Sequence, residues 1–250
     1  MISVIIPTYK EPEYLDLCLK SCIEGQTQQN EINVVVDGFF EENKEILTKW
    51  SKYINIIDLG ENKGVPRAVN MGVYNASNEW VLIVNDDNVF IKEWDSILEQ
   101  YTSYKNTVFS VNQVEPNPSI FPSFILKDYG KNINEFNLEL FWKEYNKKSL
   151  ASFQVDGKGG TLPIFITKNN YLAVGGFDEN YPTNGAVSDW DFFLKCESAE
   201  FALARIYNVV LYHFAQISTG TQRHETEAQG HTYFQYKWRK NYIPKALKIS

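Results

Sequence analysis

Between residues 81 and 90 the chain reads VLIVNDDNVF: the apolar run Val81 to Val84 passes straight into Asn85, Asp86, Asp87 and Asn88. Two adjacent carboxylates repel each other, and a cation between them relieves that repulsion. Oxygen ligands of this kind select a hard ion, Mg²⁺ or Mn²⁺. The apolar run has the pattern of a short strand covered on both faces, and in open α/β sheets ligands bind beyond the C-terminal ends of such strands. The competing reading is a solvated turn, because Asn and Asp are also the usual turn residues.

The elements that must position this junction follow from periodicity. Ile2, Val4, Ile5 and Ile6 predict a buried first strand stopped by Pro7. Pro12 opens a helix whose apolar positions Leu15, Cys18, Leu19, Cys22 and Ile23 fall at helical spacing, ending at Gly25. A second strand is predicted over Ile32 to Val36, a helix through Ile46, Leu47 and Trp50, and a strand over Ile54 to Ile57. A turn at 60–64 precedes a helix over Val65 to Ala76, which feeds the 81–84 strand. This alternation predicts an α/β fold with a Rossmann-like, mostly parallel central sheet covered by helices on both faces. A helix with Trp94, Ile97, Leu98 and Tyr101 and a strand over Val108 to Val111 continue it.

Beyond that point the regularity fades. Three prolines exclude regular structure from Glu115 to Pro122, a helix is predicted over Asn134 to Lys147, and DGKGG at 156–160 reads as a flexible turn. A strand over Pro163 to Thr167, a short helix ending at Gly175-Gly176, a helix over Asp189 to Ala199, a strand over Val209 to Tyr212 and a helix over Glu225 to Lys240 complete the chain. Residues 1–250 are read as one domain, with 1–112 and 113–250 as its two halves.

With 44% hydrophobic, 15% aromatic and 22% charged residues, the composition is that of an ordinary globular protein. A net charge of -7 argues against binding a nucleic-acid backbone or an anionic membrane through long-range electrostatics. No apolar stretch approaches the roughly 20 residues of a membrane span. Met1 leads directly into the first strand with no signal peptide, so a cytoplasmic protein is expected. The three cysteines lack a CxxC pair and are expected to be reduced packing residues. Phe121, Phe124, Tyr129, Trp142 and Tyr145 suggest either a carbohydrate-facing surface or packing under a long loop.

SVIIPTYKE at 3–11, ENKGVPRAVNMG at 61–72, NDD at 85–87, GGFDE at 175–179 and SDWDFFLK at 188–195 occur in an order that resembles the family-2 glycosyltransferases of the GT-A fold. These are inverting enzymes that move a sugar from a nucleotide diphosphate, and the resemblance spans nearly the whole chain. It implies a nucleotide-sugar-binding half at 1–112 and an acceptor-side half at 113–250. Pro7, Thr8, Tyr9 and Glu11 would form the donor loop, and Asp37 would hydrogen-bond the nucleoside. Asn62, Gly64, Ala68, Asn70 and Gly72 fit the family pattern N-x-G-x-x-x-A-x-N-x-G. Arg67, on that helix's first turn, is then placed to meet a phosphate.

The NDD triplet matches the Asn-x-Asp form of the family's metal motif. It implies Asp87 as ligand to Mn²⁺ or Mg²⁺, Asp86 in support, and His213 completing the metal shell, unless His213 is a structural hydrogen-bonder. Asp189 matches the catalytic base, with Asp191 as the alternative base and helix capping as the competing role for Asp189. Trp190 either stacks on a sugar or packs in the core, and Gly160 is assigned to the acceptor side. The YFQYKW segment ending at Trp238 also resembles the family's C-terminal helix, with an amphipathic packing face as the alternative.

The sequence departs from the family where two acids and Gly-Ser often follow the second strand: here the run is Val36-Asp37-Gly38-Phe39-Phe40. The metal triplet lacks its first acid, and no Q-x-x-R-W motif of processive synthases is present. The resemblance thus implies transfer of a single sugar from a nucleotide-diphosphate donor to a glycan or lipid-linked acceptor. Two alternatives are a non-catalytic nucleotide- or sugar-binding module on the same fold and a sugar-phosphate nucleotidyltransferase. The second lacks its expected glycine-rich, basic N-terminal loop.

Overall fold

The computed structural model describes residues 1–119, 121, 123–146, 155–156, 159–215 and 223–239. Its first part alternates strictly: β1 (Ile2–Thr8), α1 (Pro12–Gly25), β2 (Glu31–Val36), α2 (Phe40–Trp50), β3 (Asn55–Asp58), α3 (Val65–Asn75) and β4 (Trp80–Ile83). The four strands lie side by side in the order β3-β2-β1-β4, all parallel. The apolar runs of β1, β2 and β4 are buried on both faces, as the sequence pattern requires, while the edge strand β3 is largely exposed.

The end of the first strand differs from expectation. β1 does not stop at Pro7 but runs through it to Thr8, with Pro7 opposite Val35 of β2. The ladder between β1 and β4 has already ended at Ile5, so Pro7 has a strand neighbour on one side only and its missing N–H costs no ladder bond. Gly72 lets α3 lie directly on this sheet, since a Cβ there would come within 2.3 Å of the Ile5 side chain.

After β4 come β5 (Asn88–Phe90), α4 (Trp94–Leu98) with a 3₁₀ turn through Tyr101, β6 (Thr107–Glu115), β7 (Ile125–Leu126) and α5 (Leu138–Glu144). The chain continues with β8 (Val155–Asp156), β9 (Ile164–Thr167), α6 (Lys168–Ala173), α7 (Ser188–Ser198), β10 (Ala202–His213) and α8 (Arg223–Trp238). The sheet extends as β4-β9-β6-β10-β5. β9 is antiparallel to both β4 and β6, β10 is parallel to β6, and β5 closes the edge antiparallel to β10.

β6 and β10 are far longer than the four-residue apolar segments predicted for them. They bury polar residues, Asn112, Gln113, Glu115, Arg205 and Asn208, which interrupt the hydrophobic run without ending the strand. α5 starts later than predicted because Asn137 caps it, accepting the Leu140 N–H; Lys147 lies outside the described residues. Residues 157, 158 and 240, parts of the predicted turn and last helix, lie outside them too.

Apolar clusters fill both faces of the sheet, one beneath α1 and the other beneath α3 and α7. Tyr129 and Trp142 belong to the first of these, with Tyr145 packed against it, so these three rings serve packing rather than a carbohydrate-facing surface. Cys18, Cys22 and Cys196 are buried and free. Among the described residues no helix is long and apolar enough to cross a membrane.

Candidate active site

At the end of β4 the Val84 N–H bonds to Ile5 of β1, and the chain turns through Asn85, Asp86 and Asp87 into β5. Asn88 closes this turn, its Oδ1 accepting from the Asn85 N–H at 3.0 Å. Asp86 turns toward β1 and accepts the Thr8 hydroxyl at 2.7 Å. Burial, then the neighbouring Asp87 charge, push the Asp86 carboxyl up to about 7.

Asp87 points the other way. It is 8% exposed, and its Oδ1 has no hydrogen-bond partner among the described residues. The ring of His213, at the end of β10, places Nε2 3.5 Å from that oxygen. Its Nδ1 lies 2.8 Å from Glu115 Oε1, at the end of β6. Burial raises the Asp87 pKa against the attraction of His213. For His213 burial acts downward, but the Asp87 and Glu115 carboxylates together raise its pKa.

This donor set fits a divalent cation. A buried carboxylate oxygen lacks a partner, and the ring nitrogen facing it belongs to a histidine whose other nitrogen rests on a carboxylate, the usual support of a metal-ligating imidazole. Among the described residues no group of three or more His, Cys, Asp or Glu side chains forms a complete cage. Asp87 and His213 are the groups that could hold such an ion, its remaining ligands then coming from water or phosphate oxygens, as Mg²⁺-type sites commonly arrange.

The residues assigned to the donor by resemblance divide into exposed and structural ones. Tyr9 and Phe39 meet edge to face at 4.8 Å, with Lys10 Nζ 4.8 Å from each ring, at the ends of β1 and β2. Phe39 is 39% exposed. Asn62 is exposed, and Glu11 is the cap residue of α1.

Asp37, in contrast, has both oxygens engaged by backbone N–H groups, Lys63 at 2.6 Å and Gly64 at 2.9 Å. It ties the 60–64 turn to β2. Gly64, at φ +95°, lies so close to Thr183 that a Cβ would meet its Cα at 2.8 Å. Asn70 is likewise engaged, donating to Phe177 O and Glu179 and accepting from the Tyr171 hydroxyl and the Phe177 N–H. Its side chain stitches α3 to the 175–179 segment. Arg67 pairs with Glu179 at 3.1 Å.

Asp189 sits in the first turn of α7. It does not cap the helix: Val187, at φ 67°, holds the cap position, without a side-chain cap bond. Its carboxylate is half-buried and accepts the Trp190 N–H at 3.0 Å. Burial pushes it up to about 6, against that hydrogen bond.

Asp191 is fully buried, held by Trp238 Nε1 at 2.7 Å, Lys237 Nζ at 2.8 Å and the Tyr181 hydroxyl at 3.4 Å. This corrects its expected role as an alternative base. Two residues along a helix is a rotation of about 200°, which turns Asp191 away from Asp189 and toward α8. Trp190 packs edge to face against His231 at 5.1 Å. Gly160 is buried, its N–H on Ser110 Oγ at 2.9 Å, which places it inside the fold rather than at an acceptor face. The sequence reading missed Glu115. The available signal was its place beside a histidine-bearing strand end, legible only once β6 and β10 are paired.

The model of the family described as Glycosyl transferase family 2 matches residues 3–157, more than half of the chain. Glycosyltransferase GlyA of Streptococcus pneumoniae is 29% identical over 167 residues, which cover 64% of this chain and 24% of that protein. Among solved structures, the mannosyltransferase PcManGT from Pyrobaculum calidifontis, in complex with GDP-Man and Mn²⁺, superposes with a TM-score of 0.65 at 14% identity, covering 99% of this chain and 66% of that one. S. aureus TarS 1-349 in complex with UDP gives 0.58 at 15% identity, over 84% of this chain and 59% of that one. The chain thus spans a quarter to two thirds of the length of these proteins, and the likeness to the two structures bears out the expected GT-A fold.

Proposed function

This chain belongs to glycosyl transferase family 2, and from that premise we propose that it is an inverting glycosyltransferase. It moves a single sugar from a nucleotide-diphosphate donor to a hydroxyl of a glycan or lipid-linked acceptor. The observation that carries this reading is the unpartnered Asp87 oxygen facing His213 at the strand ends. UDP and GDP-Man bound by the two similar structures supply the donor class.

Asp87 and His213 would hold Mn²⁺ or Mg²⁺, which when bound supplies Lewis-acid stabilisation of the leaving diphosphate. Asp86, fixed by Thr8, backs Asp87 and orients the donor. The half-buried ring of Tyr9 and the exposed ring of Phe39 border the base, with Pro7, Glu11, Asn62 and Gly64 shaping the loops around it. Asp37 and Asn70 act on the donor indirectly, by holding those loops in place, and Arg67 reaches a phosphate by giving up Glu179.

Asp189 is the general base. It removes the proton from the acceptor hydroxyl as that oxygen attacks the anomeric carbon opposite the departing diphosphate, which inverts the configuration. A carboxyl raised to about 6 is ionised at neutral pH yet basic enough to accept a proton. The protein acts where nucleotide sugars are made, in the cytoplasm.

Turnover of UDP- and GDP-sugars with and without Mn²⁺, with NMR of the product anomer, tests this. Wild type shows Mn²⁺-stimulated transfer with inversion, and Asp87→Ala abolishes the stimulation. Unchanged turnover in Asp87→Ala overturns the metal assignment, and a retained anomer overturns the single-displacement mechanism.

A further inference from the structure

Glu115 is the last residue of β6, and the final register pair between β6 and β10, Val114 with Tyr212, leaves Glu115 and His213 side by side. Glu115 is 7% exposed, and its Oε1 lies 2.8 Å from His213 Nδ1. An ionised carboxylate only accepts hydrogen bonds, so the nitrogen facing it must carry a proton. On the other side of the ring, Asn85 Nδ2 lies 3.5 Å from Nε2 and Asp87 Oδ1 also 3.5 Å. An amide N–H aimed at Nε2 calls for a lone pair there. The 2.8 Å contact to Glu115 therefore fixes the proton on Nδ1, while Nε2 faces, at equal distances, an amide N–H that calls for a lone pair and the Asp87 carboxylate, whose charge a cation bound between them would meet.

We propose that Glu115 is a positioning residue for the transfer reaction: it holds His213 with the proton on Nδ1 and the Nε2 lone pair turned to the space beside Asp87, where the cation binds. The inference rests on the reading of Asp87 and His213 as the cation's ligands. It adds a residue 98 positions from His213 in the chain, from a strand that carries no other part of the site.

Long-range ¹⁵N–¹H NMR of the histidine rings, at a pH where they are neutral, reads the tautomer without metal or substrate. The chain has three histidines, and a His213→Gln variant assigns the signal. Wild type is expected to show Nδ1–H. Glu115→Gln keeps an acceptor oxygen and retains this tautomer, whereas Glu115→Leu releases the ring to the Nε2–H form. Mn²⁺ binding in the presence of UDP or GDP, followed by the EPR signal of free Mn²⁺, should weaken about 10–100-fold in Glu115→Leu and stay near wild type in Glu115→Gln.

Nε2–H at His213 in wild type overturns the proposal, and that reading needs no Glu115 variant to fold. Equal Mn²⁺ affinity of wild type and Glu115→Leu overturns it while leaving the proposed function standing. If wild type binds no Mn²⁺ with either nucleotide, the metal reading falls and this inference with it.

Discussion

At the ends of β4, β6 and β10, two carboxylates, Asp87 and Glu115, flank one histidine, and a third, Asp86, lies next to Asp87 but turns away toward Thr8. Between α7 and α8, two carboxylates, Asp178 and Asp191, gather around two lysines, Lys237 and Lys195. The two clusters hold the same acids in opposite electrical states. In the second, burial works to raise the Asp178 carboxyl, but Lys237 and the amides of Asn180 override it and hold it at about 2. In the first, no lysine or arginine answers the acids among the described residues. Burial raises Asp86 to about 7. Asp87 and Asp191 each have one oxygen without a hydrogen bond, but the Asp191 oxygen has Lys195 at 3.5 Å whereas the Asp87 oxygen faces only the His213 ring. The balanced cluster clamps α8 onto α7. The unbalanced one has negative charge to offer a ligand, and the contrast separates a site from a brace more sharply than either acid count does.

The largest effect expected falls outside both clusters and shows what an uncompensated acid does chemically. Asp189→Asn should lower kcat about 10²- to 10⁴-fold with little change in donor KM, whereas Asp191→Asn should act through stability rather than through the acceptor step. In wild type, kcat should rise as pH passes upward through about 6, where Asp189 ionises. A profile flat across that range removes Asp189 as the base.

Breaking the balanced cluster comes next. Lys237→Met takes the 2.8 Å ion pair from the fully buried Asp191. Because Lys237 itself is partly exposed, the cost should lie between about 1 kcal/mol, for a surface pair, and about 3–5 kcal/mol, for a fully buried one. Urea unfolding of the metal-free protein measures this, and a loss under about 1 kcal/mol would mean that Lys237 is a surface pair of ordinary worth.

The smallest effect has the opposite sign. Asp86→Asn removes a buried like charge and should stabilise the metal-free protein by about 1 kcal/mol or more, while impairing transfer. The pH dependence follows the same division. Asp86 has a folded pKa above its unfolded value, so the folded state binds the extra proton, and stability falls as pH rises from about 4 through about 7. Asp178 has a folded pKa below its unfolded value. Its contribution is present above about 4 and is lost as pH falls through about 2. Urea midpoints across pH for Asp86→Asn and Asp178→Asn should lose one slope each, and loss of the same slope in both would erase the distinction.

The first half of the fold was legible in the sequence because each of its strands carries a short apolar run and its helices are periodic. The strand-end placement of Asp86 and Asp87 followed from the same pattern. Asp191 was misjudged beside Asp189, although a separation of two residues on a helix already turns one of them away. Asp37 and Asn70 were read as donor-site residues, but in the fold Asp37 accepts from the Lys63 and Gly64 N–H groups and Asn70 bonds Phe177, Tyr171 and Glu179, partners that no local spacing reveals. Glu115 was hidden for a related reason. Buried polar residues in β6 and β10 broke the apolar runs, and the pairing that brings Glu115 to His213 joins strands far apart in the chain.

Thermal unfolding of wild type and Asp87→Asn against UDP and GDP, each with and without Mn²⁺, tests the central claim most directly, because a ligand that binds only the folded state raises the midpoint. One nucleotide should raise the wild-type midpoint, Mn²⁺ should enlarge that rise, and Asp87→Asn should keep the nucleotide effect while losing the enlargement. An equal Mn²⁺ enlargement in Asp87→Asn, or no effect of either nucleotide on wild type, would contradict it.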